Sequence, residues 1–348
     1  MAAGGPRAPR LSVFFFASAD TGPAAHRYEF VLSAAALADD LGYEAVWVPE
    51  RHFHTFGGLF PNPAVLAAAL AVRTRRIGLR AGSVVLPLHH VARVAEEWAM
   101  VDALSNGRAG VSLASGWSRG DFVLAQGPYE QRRERLYASV ELLQALWRGE
   151  EIEFAAHGTA APVRTYPAPS RRAIPLWLTA MSGPATFQEA GRRGWNVLTA
   201  YLQQDRAQLE ANIGEYRRAF KGAAAGGTPH VTLMVHACVA DDAAEALQLV
   251  ERPLLAYQNE FLDLADRTMS ADDDGPLTED EKQELARYAV HKYARERGLI
   301  GGPAEVAERL RYFVEIGVDE VACLVDYGLP APRMLQTLRR LAEVAGRA

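Results

Sequence analysis

Leu11-Ser12-Val13-Phe14-Phe15-Phe16-Ala17, running on into Ser18-Ala19-Asp20, decides the fold. A near-continuous apolar run of this kind reads as a strand covered on both faces, the habit of parallel sheets. In an open, doubly wound sheet that binds a dinucleotide, the first strand would run into a Gly-x-Gly-x-x-Gly turn. Here the exit from the strand contains no glycine. Outward from it, similar runs recur at 45–48, 77–86, 108–114, 174–179, 195–199, 231–239 and 320–325. Segments of helical periodicity separate them, at 27–41, 63–73, 91–104, 130–147, 185–193, 205–220, 243–264 and 303–316, and 331–344 follows the last run. Strand and helix alternating eight times predict an α/β protein of the (β/α)8 TIM-barrel type.

Composition narrows the class. A chain of 348 residues that is 49% hydrophobic and 23% charged suits one large barrel, and no linker-like stretch divides it. Residues 11–348 therefore read as a single domain and 1–10 as a flexible tail, without the apolar segment of a signal peptide. With 37 basic and 42 acidic residues, a net charge of −5 and no long run of one sign, nucleic acid is not an expected partner. The longest wholly apolar run, 64–72, falls far short of the roughly 20 residues a bilayer needs, so no membrane association is expected. Cys238 and Cys323 sit in strand-like stretches with neither metal-site spacing nor disulfide density, which fits a reducing cytoplasm. Two stretches exceed a minimal barrel. One, at 152–172, reads as a surface insertion or short hairpin. The other, at 263–299 between the seventh and eighth strands, carries the acidic turn Asp272-Asp273-Asp274-Gly275-Pro276 and a charged helix at 278–297. It is either a lid over the barrel mouth or an exposed decoration.

In such barrels the reactive groups gather where strands end. After the second strand, Glu50, Arg51, His52 and His54 put four ionisable groups into five residues, either a solvated loop or a site whose charge a ligand manages. A histidine here can exchange a proton near neutral pH. No metal is expected, because His52 and His54 lack a helical His-x-x-x-His spacing and a visible third ligand. His89 and His90 end the third strand, in a structural or a functional role. Within that strand, Gly82-Ser83 either admits a flat ligand to the backbone or marks a bulge. After the fourth, Ser115-Gly116-Trp117 and Asp121 offer an aromatic face and a carboxylate, or a structural Trp. After the fifth, Met181-Ser182-Gly183-Pro184 opens a helix, so N–H groups of Gly183, Ala185 and Thr186 and the hydroxyls of Ser182 and Thr186 offer a phosphate site. The alternative there is an ordinary Ser N-cap. Taken together, these features describe a planar, phosphate-bearing cofactor at the mouth of a barrel.

Several blocks carry a more specific signal: Val46-Trp47-Val48-Pro49-Glu50-Arg51-His52-Phe53, Phe56-Gly57, Asn62-Pro63, Gly82-Ser83-Val84-Val85-Leu86-Pro87, Leu104-Ser105-Asn106-Gly107-Arg108, Ser115-Gly116-Trp117 with Asp121-Phe122, and Met181-Ser182-Gly183. In this order they resemble the bacterial luciferase-like flavin-dependent monooxygenases, in particular the branch attached to polyketide and nonribosomal peptide biosynthesis. The resemblance implies a barrel that binds FMN as FMNH2, with O2 as co-substrate, and oxygenates an organic substrate through a C4a-peroxyflavin. By position it implies that His52, with Arg51 and Glu50, lies at the reactive edge of the flavin. It likewise implies that Gly82-Ser83 is a cis peptide beneath the ring, with Ser115, Gly116, Trp117, Asp121 and Met181 around it and Ser182, Gly183 and Thr186 on the phosphate. It further implies a separate flavin reductase, a substrate that is free or bound to a carrier protein, and a homodimer. The light-emitting subunit has Glu-His-His-Phe where this chain has Glu50-Arg51-His52-Phe53, so bioluminescence is not expected; it also has an Arg for the phosphate where this chain has Ser115, which places more of the phosphate's binding on the helix amino end. Arg51 would instead pair with an anion, for example a substrate carboxylate or a phosphopantetheine arm. An F420-dependent oxidoreductase of the same fold and a catalytically silent flavin-binding subunit are the competing readings.

Overall fold

In the computed structural model the strands are β1 (Arg10–Phe14), β2 (Ala45–Val48), β3 (Gly78–Val85), β4 (Ala109–Ala114), β5 (Ile152–Ala156), β6 (Thr159–Val163), β7 (Leu176–Thr179), β8 (Asn196–Ala200), β9 (Val231–Val239), β10 (Leu299–Gly301) and β11 (Glu320–Leu324). The helices are α1 (Ala24–Asp40), α2 (Pro63–Arg73), α3 (Val91–Ser105), α4 (Arg132–Trp147), α5 (Pro184–Arg193), α6 (Arg206–Phe220), α7 (Ala243–Asp266), α8 (Glu279–Glu296), α9 (Pro303–Glu315) and α10 (Ala331–Val344). The structure describes residues 9–18, 23–156, 159–202, 204–220, 227–266 and 279–346. Most of the expected tail and the acidic turn at 272–276 lie outside them.

Eight parallel strands close on themselves in the order β1, β2, β3, β4, β7, β8, β9, β11 and back to β1. This is the expected (β/α)8 barrel. All four residues of β2 are buried, as a strand lined by the barrel interior on one face and by helices on the other requires. Helix α2 starts where Asn62 accepts hydrogen bonds from the N–H groups of Ala64 (2.9 Å) and Val65 (3.1 Å), with Pro63 as its first residue. The stretch at 152–172 contains an antiparallel hairpin, β5–β6. Strand β10 was not foreseen: Leu299–Gly301 adds in parallel to β9 beside Ala237–Val239.

The floor of the barrel is polar. Glu320, wholly buried at the start of β11, accepts hydrogen bonds from Arg80 Nη1 (2.6 Å to one oxygen, 2.8 Å to the other) and Trp47 Nε1 (3.0 Å). It also meets His230 Nε2 at 3.0 Å and the hydroxyl of Ser12. The Arg80 guanidinium lies between the indoles of Trp47 and Trp177, 5.1 and 4.5 Å from their ring centroids. Burial alone would raise the Glu320 carboxyl, but Arg80, His230 and Ser12 together hold it far below the usual carboxylate range. Glu320→Gln leaves Arg80 buried beside a neutral group and is expected to cost about 3 to 5 kcal/mol, measured by denaturant unfolding. With a depressed native pKa, this stabilisation is present at neutral pH and is lost as pH falls below about 4, so wild type and variant converge in acid.

Candidate active site

At the carboxyl ends of the strands a cavity of about 440 Å³ opens, within the range of roughly 300 to 1,000 Å³ usual for small-molecule sites. Its floor is backbone. A Cβ at Gly82 would lie 2.7 Å from the Phe14 ring and 3.1 Å from that of Trp47, so only glycine fits. The peptide from Gly82 to Ser83 is cis, and the register of β3 on β4 slips there. Across the floor the hydroxyls of Ser83 and Ser112 both meet Thr179, the latter at 2.8 Å. Gly116, at φ +83°, packs so closely that a Cβ would sit 2.8 Å from Val85. The walls are aromatic: Phe14 and Phe16 from the end of β1, Phe56 after β2, Trp117 after β4, and Tyr257 and Phe261 from α7. Phe16 is set by Asp326 after β11, whose carboxylate accepts the N–H groups of Phe16 (2.7 Å) and Ala17 (3.0 Å). Burial pushes that carboxyl up to about 7 against the pull of these amides.

Glu50 and Arg51 both line the cavity. Glu50 Oε1 is shared by His52 Nε2 (2.8 Å) and His89 Nε2 (2.6 Å), while Oε2 accepts the N–H of Val85 (2.8 Å). Burial would raise the Glu50 carboxyl, but these three partners outweigh it and hold it below the usual carboxylate range. Burial would lower His89, but its bond to Glu50 raises it instead. The sequence paired His52 with His54; the structure instead gathers Glu50, His52 and His89, whose ligand atoms lie within 4.8 Å of one another. The 2.6 and 2.8 Å separations are those of hydrogen bonds to one oxygen. Arg51 Nη1 donates to Asp121 Oδ2 (3.0 Å), and Ser118 donates to Asp121 Oδ1 (3.0 Å). Burial outweighs both and raises the Asp121 carboxyl.

The predicted residues thus divide. Glu50, Arg51, Gly82, Ser83, Gly116, Trp117 and Met181 form the wall, whereas His52, Ser115 and Asp121 do not face it. His52 turns its ring to Glu50, and Arg51 takes a position on the wall. His54 stays local, its Nδ1 accepting the N–H of Phe56 at 3.1 Å. Ser182, Gly183 and Thr186 continue from Met181 to the amino end of α5, where Gly183 to Ala185 are exposed. The N-cap there is Gly183 without a side-chain bond, not Ser182, whose carbonyl accepts from Gln208 and Asn212, each at 3.2 Å. The free helix terminus beside a glycine-floored, aromatic cavity fits a flat ring with an anionic tail. Reading strand ends alone missed Tyr257 and Phe261, which stand one helical turn apart on α7, and the bond from His89 to Glu50.

A sequence profile described as luciferase-like monooxygenase matches residues 10–320. The oxygenase component of the flavin-dependent trigonelline monooxygenase of Acinetobacter baylyi is 26% identical over 334 residues, covering 90% of this chain and 88% of that protein. The 4-hydroxyprotoasukamycin monooxygenase of Streptomyces nodosus is 29% identical over 246 residues, 66% of this chain and 64% of that one. Among solved structures, the monooxygenase RslO1 from Streptomyces bottropensis superposes with a TM-score of 0.82 at 24% identity, covering 96% of this chain and 98% of that one. The oxygenating constituent of 3,6-diketocamphane monooxygenase from Pseudomonas putida, in complex with FMN, gives 0.76 at 20% identity over 97% and 98%. Barrel, cavity and relatives agree on a flavin-dependent monooxygenase. The chain belongs to the luciferase-like monooxygenase family.

The shared oxygen of Glu50 gives the first check on this geometry. In wild-type protein, NMR titration of His89 is expected to place it above the ordinary histidine value of about 6.5, and in Glu50→Gln it should drop back towards or below that value.

Proposed function

We propose that the chain is the oxygenase component of a two-component system. It takes reduced FMN from a separate flavin reductase and uses O2 to oxygenate an organic intermediate of natural-product biosynthesis, free or carried on a pantetheine arm. One observation carries this reading: the cavity has a backbone floor at Gly82 and Gly116 and lies next to the exposed amino end of α5. The trigonelline enzyme's description as an oxygenase component supports a partner reductase, and the asukamycin-pathway relative supports the substrate class.

Reduced FMN, when bound, supplies the electrons that activate O2. Ser182, Gly183 and Thr186, with the Ala185 N–H, would hold its phosphate, and Gly82 and Gly116 would let the ring lie against backbone. The aromatic wall from Phe14 to Phe261 would exclude water. Glu50, ionised, would accept at Oε1 the N–H of a protonated His89 ring beside His52, a pair from which a proton could be exchanged near the cavity edge. A homodimer is supported by exposed apolar side chains on adjacent helices: Val65 and Val72 on α2, 68% and 74% exposed, and Met100 and Leu104 on α3. No helix among the described residues is long and apolar enough to cross a membrane.

Mixing the protein with FMNH2 in aerated buffer is expected to slow flavin reoxidation; kinetics equal to those of free flavin, or binding of F420 in preference to FMN, would reject the proposal. FMN should bind at least about tenfold tighter than riboflavin, which lacks the phosphate, and Thr186→Ala should narrow that gap. His52→Ala is expected to keep FMN binding while losing most of the slowing of reoxidation, read by stopped-flow absorbance.

A further inference from the structure

Arg51 is the cation on a wall otherwise built mainly from aromatic and small side chains, and its bonding is incomplete. The residue is only 4% exposed, yet among the described residues only Nη1 has a partner, Asp121 at 3.0 Å. Nε and Nη2 are buried with none. These two nitrogens share one edge of the guanidinium plane, the edge that grips both oxygens of a carboxylate at once. Donors left empty on a buried charge are costly, so an intact, unfilled edge beside a cavity points to a ligand. Trp117 covers the group, its ring centroid 5.0 Å from Cζ, and is itself 45% exposed.

We propose that the free edge of Arg51 receives a carboxylate of the substrate, and that the accepted class is an aromatic carboxylic acid whose ring packs among Phe16, Phe56, Tyr257 and Phe261. This rests on the reading that the same cavity also takes FMN. The second carboxylate on the guanidinium, Asp121, does not bar the first. Asp121 engages only Nη1, which leaves the Nε–Nη2 edge whole for a second acceptor.

The test uses full-length protein saturated with FMN and two probes of equal shape, 2-naphthoate and 2-naphthamide, in isothermal titration calorimetry. The acid is expected to bind at least about tenfold tighter than the amide. Arg51→Gln should erase that preference, and Arg51→Lys, which keeps the charge near Asp121, should recover only a small part of it. FMN affinity should be unchanged in both variants. Equal binding of acid and amide to wild type, or a preference that survives both substitutions, overturns the proposal. So does a parallel loss of FMN affinity, which would assign the edge to the cofactor. Failure of wild type to bind FMN sinks the flavin reading alone; the acid and amide comparison, repeated without cofactor, then judges Arg51 separately.

Discussion

The carboxylate of Glu320 is the constraint around which the barrel is tied. It draws on Ser12 of β1, Trp47 of β2, Arg80 of β3 and His230 ahead of β9, so residues from four positions around the ring converge on one buried anion. Apolar packing is tolerant of small rotations, whereas a charge in a low-dielectric interior is not, because each lost partner leaves it uncompensated. Fixing β1, β2 and β3 at the floor also fixes where their carboxyl ends emerge, and those ends carry Phe16, Glu50 and Gly82. The same Trp47 that donates to Glu320 stands 3.1 Å from where a Cβ of Gly82 would be, so floor and site are one packed column.

Above that column the polar groups come in two local sets. Glu50 gathers His52, His89 and the amide of Val85, and thereby joins the exits of β2 and β3. Arg51 gathers Asp121 and lies against Trp117, and so joins β2 to the loop after β4. Consecutive residues thus serve different neighbours, one gathering hydrogen-bond donors on a carboxylate and the other carrying a positive charge. His52 lies one contact away from the cavity wall, on Glu50.

Much of this was legible in the sequence because its physics is local. Strands β2 and β9 and helices α2 and α10 fall where periodicity put them, since fully buried strands and amphipathic helices write their environment into adjacent residues. Gly82 was legible as a close approach for the same reason. The partners of charged groups were not: His89 lies 39 positions from Glu50 and Asp121 lies 70 from Arg51, and only closure of the barrel brings them together. Strand β10 was missed because three residues before Gly302-Pro303 look like a turn until a neighbouring strand edge offers them hydrogen bonds. Tyr257 and Phe261 were missed because a helical stripe facing a cavity and one facing a core have the same spacing.

Helix α7, which carries those two aromatics, stands outside the eight-strand ring. Its inward stripe, Tyr257 and Phe261, lines the cavity beside Phe16, Phe56 and Trp117. Tyr257 also packs its ring against Phe16, Phe56 and His236, so the side chain that shapes the chamber is at the same time core, and a change in its size is felt by the strand ends around it.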